Sequence, residues 1–344
     1  MIPEPVLRLA INRFDVLRPN EKCLVDELVD SEALFRALTP GLLSQMVGRR
    51  VGTRRADRDE SGSRARPQPT PDELLRLAEQ DLAFLRSRGI RVISQADRRY
   101  PAALREIYDP PFLLYVRGEL PDAERPSVAL VGTRRPTAAA VIAAERLGVE
   151  LADAGLAVVS GLALGIDVAA HRGALSRGVT GAILASGIDV VSPSSHRGVA
   201  AAILDAGGYL ATEYAPGVAP LKYHFPARNR IISGLSRGVV VVQAPARSGA
   251  LITADYALDH GRDLFVHRVG LEPPEGAGTA ELAADGALIV DGAADILGEW
   301  GVRYAIDASG RAAATDREQP RSSGDAAAAR VAQMRAAIGG EAAG

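Results

Sequence analysis

Between Ser127 and Gly292 the sequence alternates continuous apolar runs with segments of helical pattern, and this alternation constrains the fold more than any other feature. The apolar runs include VALVG, LAVVSG, TGAILAS and GVVVVQA. Strands that are apolar throughout and are separated by helices are typical of a parallel sheet covered on both faces. The sequence therefore predicts an α/β protein with an extended Rossmann-like, doubly wound, mostly parallel sheet.

The flanking segments differ from this core in composition. Leu24 and Leu28, and Leu34 and Leu38, have helical spacing. A helix is predicted from Pro71, with Thr70 as N-cap and Gly89 as stop. The predicted organisation is a small helical (SAM-like) domain over 1–50, a flexible basic linker over 51–70, a helix-plus-strand lead-in over 71–125, the Rossmann-like domain over 126–300, and a disordered low-complexity tail over 301–344.

Charge and cysteine content exclude several classes of protein. The chain has 40 Lys and Arg against 42 Asp and Glu, so any site for a polyanion must be built by local clustering of cations. The single cysteine, Cys23, excludes an intramolecular disulfide and a cysteine-based zinc cluster. Nowhere do about 18 apolar residues follow one another, as a membrane span requires. We expect a cytoplasmic protein that makes no membrane contact.

Polar residues follow three of the predicted strands at the point where each strand ends. Ligands of open parallel sheets bind outside the carboxyl ends of the strands, and helix N-termini there attract anions. Three such turns at one edge predict a site for a row of phosphates, although structural glycines in tight turns are the alternative for any one loop. The candidate residues are Arg134 and Arg135 in the first turn, Ser160 and Gly161 in the second, and Ser248, Gly249 and Thr253 in the third.

The glycine spacing in these turns excludes the common nucleotide cofactors. VGTRRPT lacks the second and third glycines of a dinucleotide fingerprint, and the glycines of GLALGID have the wrong spacing. No phosphate-binding loop of the G-x-x-x-x-G-K-[ST] type occurs. We therefore expect no NAD, FAD or other cofactor.

The run from Lys222 to Arg230, KYHFPARNR, combines three cations, two aromatic residues and an amide. Cations neutralise phosphates, an aromatic face stacks on an unpaired base, and an Asn side chain binds a sugar or a base edge. Lys222, Phe225, Arg228, Asn229 and Arg230 are therefore candidates for binding a single nucleic-acid strand. The structural alternative makes Phe225 a hydrophobic staple and leaves both arginines solvated.

No pattern predicts catalysis or a metal site. The five histidines lack ligand spacing. Asp167, Asp189, Glu213 and Asp255 lie near strand ends or helix starts, where carboxylates commonly serve as structural caps. We expect no catalytic residue and no metal.

Five motifs in a fixed order resemble the DNA-processing protein A (Smf) family: VGTRRPT, SGLALGIDVAAHRGAL, AILASGIDVVSP, FPARNRIISGLS and SGALITADYALDHGR. The likeness runs from about Tyr100 to Gly292. It implies a homodimer that binds single-stranded DNA with its 126–300 domain, protects the strand and hands it to the RecA recombinase during natural transformation. The resemblance implies that Arg134 and Lys222 hold phosphates, that Phe225 stacks on a base, and that Arg228, Asn229 and Arg230 shape the pocket.

The sequence departs from the family pattern mainly between residues 267 and 286. His267-Arg268-Val269-Gly270 stands where the family has Val-Pro-Gly, and GAGTAELAADGA replaces a Ser-x-Gly-x-Asn stretch. The run from Pro274 to Glu281 also resembles the phosphate loop of lysine-decarboxylase-like phosphoribohydrolases, which would make the protein a nucleotide N-glycosidase with Glu281 assisting cleavage. This run follows the wrong strand for that fold, so DNA binding is the preferred hypothesis.

Overall fold

The computed structural model describes residues 4–51, 69–121, 125–272 and 274–301, and the backbone of 304–306 and 312–314. Its N-terminal part consists of four helices: α1 (Glu4–Asn12), α2 (Pro19–Leu28), α3 (Glu32–Arg36) and α4 (Pro40–Val47). Leu24 and Leu28 have the spacing that predicted a helix here, yet both are exposed. Val25 and Val29, one position further along, are the residues of this segment that are buried.

The lead-in to the sheet begins at the predicted cap. In α5 (Pro71–Ser87) the Thr70 hydroxyl accepts from the backbone N–H of Glu73, and the Glu73 carboxylate accepts from the N–H of Thr70 at 2.7 Å. The elements that follow are β1 (Arg91–Ser94), α6 (Ala102–Arg105) and β2 (Leu113–Gly118). Most of the predicted linker, residues 52–68, lies outside the described residues.

Strands and helices then alternate as the sequence predicts. They are β3 (Ser127–Val131), α7 (Ala138–Asp153), β4 (Ala157–Ser160), α8 (Ile166–Leu175), β5 (Thr180–Ile183), α9 (Arg197–Asp205), β6 (Tyr209–Thr212), α10 (His224–Gly234), β7 (Gly238–Val241), α11 (Gly249–Asp259), β8 (Asp263–His267), α12 (Ala277–Ala284), β9 (Leu288–Val290) and α13 (Ala293–Glu299). Beyond Trp300 an antiparallel pair forms between β10 (Tyr304–Ile306) and β11 (Ala312–Ala314), and the rest of the predicted tail lies outside the described residues.

The main sheet has nine strands in the order β1-β2-β6-β5-β4-β3-β7-β8-β9. All pairs from β6 to β9 are parallel, whereas β2 is antiparallel to both β1 and β6. The chain runs outward from β3 to β6 and then returns to place β7 against β3, which creates the topological switch point where such sheets bind ligands. The predicted doubly wound, mostly parallel sheet is confirmed.

Both faces of the sheet are covered. Val128 and Leu130 of β3 pack with α7 and α8, while Ala129 and Val131 pack on the opposite face with α10 and α11. The N-terminal helices and α5 share one apolar cluster with alternate residues of β2, including Tyr115. The domain boundaries predicted from the sequence remain predictions. Within the part of the chain that the structure describes, no helix has the length and apolar character needed to span a bilayer.

Candidate nucleic-acid interface

A cleft of about 740 Å³ opens at the carboxyl ends of the central strands, between the N-terminal ends of α10 and α11. It lies at the switch point between β3 and β7. Nine of the twelve predicted site residues line it: Arg134, Arg135, Lys222, Phe225, Arg228, Asn229, Ser248, Gly249 and Thr253. Predicted site residues from the turns after β3 and β7 therefore meet those of α10 and of the segment just before it in one concave surface.

An aromatic ring and cations form one wall of the cleft. The Arg134 guanidinium lies 5.0 Å from the centre of the Phe225 ring, a cation–π contact. Arg134, Arg135 and Lys222 are exposed, and Phe225 is half-buried. This wall offers positive charge beside an accessible aromatic face, which is the combination that binds phosphates and stacks on a base.

Arg228 has a different environment from these cations, because it is buried beneath the cleft. Its Nη1 donates to the carbonyl of Gly161 at 2.7 Å and to the carbonyl of Ile183. Burial lowers the pKa of Arg228 to about 10, and the nearby Asp167 carboxylate opposes this shift. The Arg228 side chain links the turn after β4 to the end of β5. The alternative of a solvated Arg228 is therefore wrong.

Asp167 completes this buried support. Its carboxylate accepts from the backbone N–H groups of Gly161 at 3.1 Å and Ala163 at 3.3 Å. Burial raises its pKa, while Arg228 and the two backbone hydrogen bonds counteract the rise. Asp167 lines the cleft, and its Oδ2 accepts both of these hydrogen bonds from the turn, as in a structural cap.

Ser160, Gly161 and Arg230 do not line the cleft, contrary to the expectation from the sequence. The buried Ser160 hydroxyl donates to the carbonyl of Leu130 at 2.6 Å. A Cβ atom at Gly161 would overlap the Arg228 guanidinium, so this glycine makes room for an internal side chain rather than for a ligand.

Arg230 projects from the other flank of α10. Its guanidinium pairs with Glu213 at 2.7 Å and with Asp109 at 3.2 Å. Burial alone would lower the pKa of Arg230, but the Glu213 carboxylate outweighs it and raises the pKa above the ordinary arginine value. Glu213, a candidate acid–base residue in the sequence, is therefore the partner in a buried ion pair.

The middle of α10 is joined to the N-terminal end of α11 beside the cleft. Ser248 caps α11, because its hydroxyl accepts from the N–H of Ala250 at 3.3 Å. Asn229 Nδ2 donates to the carbonyl of Gly249 at 3.2 Å. Thr253 is buried one turn further along α11. Part of this wall is consequently held in place by the same polar groups that line it.

The opposite wall comes from the segment in which the sequence departs from the family pattern. Pro274 and Glu275 line the cleft there. In the glycine-rich run that follows, the N–H groups of Gly278 and Thr279 both donate to the carbonyl of Ala244, and the Thr279 hydroxyl accepts from its N–H at 2.6 Å. These groups fasten α12 to the end of β7 and are not presented to a phosphate, while Glu281 is exposed. The run lacks the arrangement that an N-glycosidase phosphate loop requires.

Residues that the sequence did not single out also line the cleft, among them Ile232, Pro245 and Ile252. Ile232 lies one helical turn after Arg228, so the helical repeat is a signal that could have identified it. Pro245 lies between β7 and α11, and no local pattern in the sequence indicates that it lines the cleft.

Two further titratable residues, His171 and Asp189, form hydrogen bonds outside the cleft. His171 is buried, with Nδ1 2.7 Å from the Thr180 hydroxyl, and burial lowers its pKa to about 3. Asp189 accepts from the N–H of Gly217 at 2.9 Å. Among the residues that the structure describes, no three His, Cys, Asp or Glu side chains are grouped so that they could hold a metal ion.

A family model described as DNA recombination-mediator protein A matches residues 91–301, which include the whole cleft. The chain belongs to this family. The DNA processing protein DprA of Streptococcus pneumoniae is 41% identical over 205 residues, which make up 59% of this chain and 72% of the relative. The DprA of Bacillus subtilis is 38% identical over 220 residues, or 63% of this chain and 74% of the relative.

Solved structures of family members have the same fold. The X-ray structure of the Streptococcus pneumoniae protein superposes with a TM-score of 0.66 at 32% identity, covering 87% of this chain and 98% of that one. A Helicobacter pylori DNA processing protein A, described by its single-stranded DNA binding mode, gives a TM-score of 0.54 at 30% identity over 61% of this chain and 95% of that one. The family resemblance expected from the motifs is confirmed.

Proposed function

We propose that this protein binds single-stranded DNA in the cleft, protects the strand and passes it to a RecA-type recombinase. It would do so in the cytoplasm as a homodimer, during natural transformation or recombination. Family membership supports the proposal, as does the single-stranded DNA binding described for the Helicobacter pylori relative. The proposed role is binding rather than catalysis, since exposed cations and an aromatic ring line the cleft and Oδ2 of Asp167 accepts from two backbone amides of the turn after β4.

The observation that carries the proposal is the half-buried ring of Phe225 among Arg134, Arg135 and Lys222. Cations alone would bind a duplex and a single strand alike, because both carry phosphates. An aromatic face gains from stacking only when a base is unpaired and its face is accessible. The combination therefore favours a single strand, and a volume of about 740 Å³ accommodates no more than a short piece of it.

Substitution of Phe225 tests this reading directly. Phe225→Ala should weaken binding of a fluorescent single-stranded oligonucleotide by about 1–3 kcal/mol, or roughly 5-fold to 150-fold, because one stacking surface is lost. Phe225→Trp should retain most of the affinity, since it keeps an aromatic face. Ile142→Ala is the matched control, because Ile142 is an exposed residue of α7 on the opposite side of the sheet.

The same three variants test handover to the recombinase. In a RecA strand-exchange reaction the wild-type protein should stimulate pairing, and Phe225→Ala should do so only at higher protein concentration. Equal affinity of Phe225→Ala and the wild-type protein for the oligonucleotide would refute the stacking role. Stimulation that is unaffected by any loss of DNA affinity would refute handover through this cleft.

A further inference from the structure

The two sides of helix α10 contact different parts of the molecule. Phe225, Asn229 and Ile232, spaced four and three residues apart, lie on the cleft side, where Asn229 contacts Gly249 of α11. Arg230 and Gly234 lie on the other side, where Arg230 contacts Asp109 and Gly234 packs against Leu104 and Ile107. The segment from Leu104 to Asp109 therefore runs along the flank of α10 that faces away from α11.

This segment leads to the same edge of the sheet as the cleft. Because β2 is antiparallel to β6, the residues just before β2 lie beside the carboxyl end of β6. Arg230 bridges the two directly, since it pairs with Asp109 on one segment and with Glu213, which follows β6, on the other. Tyr108, between Ile107 and Asp109, thus lies beside the part of α10 from Arg230 to Gly234, and the width of this helix separates it from the cleft.

Tyr108 is the most exposed large apolar or aromatic side chain among the described residues, at 98%. Its backbone is nevertheless held on both sides. Ile107 is buried in the core, and the carbonyl of Asp109 accepts from Arg230 Nε at 2.8 Å. The carbonyl of the next residue, Pro110, accepts from Gln95 Nε2 at 3.0 Å. A fixed backbone presenting an aromatic ring to solvent loses little entropy on binding.

A second exposed aromatic residue lies at the N-terminal end of α10, next to the cleft. Tyr223, 57% exposed, precedes α10, and its ring meets His224 edge-on with centroids 4.7 Å apart. His224 in turn stacks on Tyr214 at 4.0 Å. The contact with His224 therefore supports the Tyr223 ring. Tyr223 immediately follows Lys222 of the cleft wall.

Charge around Tyr108 is nearly balanced. Arg98, Arg99 and Arg105 are exposed nearby, but Arg99 pairs with Asp97, and Glu106 is also exposed. Arg105 donates to the backbone carbonyls of Gln95 and Asp97. The surface can therefore add stacking energy with little additional attraction for phosphates.

We propose that Tyr108 and Tyr223 form a second base-stacking platform, on which a single strand continues after it leaves the cleft over the N-terminal end of α10. The inference rests on the proposed function. The cleft extends from the end of β7 across β3 to the turn after β4, and three strand spacings, about 14 Å in all, separate β4 from β2, which begins shortly after Tyr108. A strand a few nucleotides longer than the cleft holds would reach the platform.

The test compares oligothymidylates of increasing length, from about 5 to about 20 nucleotides, a range that brackets common single-strand site sizes. Tyr108→Ala should bind the shortest strands with wild-type affinity and the longer ones roughly 5-fold to 150-fold more weakly. Tyr108→Phe should behave as wild type, because it keeps the ring. The salt dependence of Tyr108→Ala should match that of the wild type, because no phosphate contact is removed.

The possible outcomes distinguish a failure of the proposed platform from a failure of DNA binding in the cleft. Ile142→Ala, an exposed substitution on α7, should be neutral at every length. Wild-type affinity of Tyr108→Ala for all lengths would overturn the platform while leaving the cleft intact. Normal DNA binding combined with lost recombinase stimulation would overturn it in favour of a protein partner at Tyr108. Failure of the wild-type protein to bind even the short strands would refute the proposed function itself.

Discussion

The cations of the run from Lys222 to Arg230 and of the first turn are alike in the sequence but have different surroundings in the structure. Arg134 and Lys222 are exposed in the cleft, whereas Arg228 and Arg230 are buried, one beneath the cleft and one beside Glu213. The residue types indicated a polyanion site, but their individual roles depend on partners such as Gly161, which is 67 residues away from Arg228. No local pattern contains that information.

For single residues, we predict that substitution of Arg228 lowers the stability of the fold, whereas substitution of Arg134 affects DNA binding and leaves the stability nearly unchanged. Arg228→Met leaves Asp167 and the carbonyls of Gly161 and Ile183 without their buried partner, so the free energy of unfolding should fall by about 3–5 kcal/mol. Arg134→Met should change it by less than about 0.5 kcal/mol, because Arg134 is exposed. Urea denaturation measures both. An Arg228→Met protein with undiminished stability would show that Arg228 is free to bind ligand instead.

Elements whose signals are local were predicted well. Thr70, which the sequence predicted as an N-cap, caps α5 through its side-chain oxygen, and the structure shows that Thr137 and Ser248 cap α7 and α11 in the same way. The apolar runs became the parallel strands because such runs can be buried on both faces. The sequence did not predict that β2 pairs antiparallel with β6 and that β1 is added beyond β2. This pairing, for example between Tyr115 and Thr212, joins distant parts of the chain.

The cap of α11 provides a prediction for an element. Ser248→Ala should lower the free energy of unfolding by about 1 kcal/mol, because the N–H of Ala250 loses its acceptor. Ser248→Asp should retain the stability, since Asp is an equally good N-cap and favours the helix dipole. It should nevertheless weaken DNA binding, because it places a negative charge in the cleft. Denaturation and oligonucleotide titration on both variants provide the check, and unchanged DNA affinity of Ser248→Asp would place the strand elsewhere.

In the whole molecule, the N-terminal helices support the sheet beside the cleft. Arg13 of the N-terminal part pairs with Asp81 of α5 at 2.7 Å. Asn12 Nδ2 donates to the Tyr115 hydroxyl at 3.1 Å and to the carbonyl of Glu213 at 3.4 Å. Glu213 pairs with Arg230, so the flank of α10 that faces away from α11 is connected to the first helix. The partners of Asn12 and Arg13 are between 68 and 201 residues away, which is why the sequence indicated a separate helical unit but not its attachment.

The central claim, that the cleft holds an unpaired strand through stacking and charge together, is tested most directly by one equilibrium titration. Single- and double-stranded oligonucleotides of the same sequence would be titrated at several salt concentrations with the wild-type protein and Arg134→Ala. Stacking and charge together should give tighter binding of the single strand, affinity that falls with salt, and a log–log salt slope reduced by about 0.7 in Arg134→Ala, as expected for one lost phosphate contact. Equal binding of both forms, or an unchanged slope in Arg134→Ala, would contradict it.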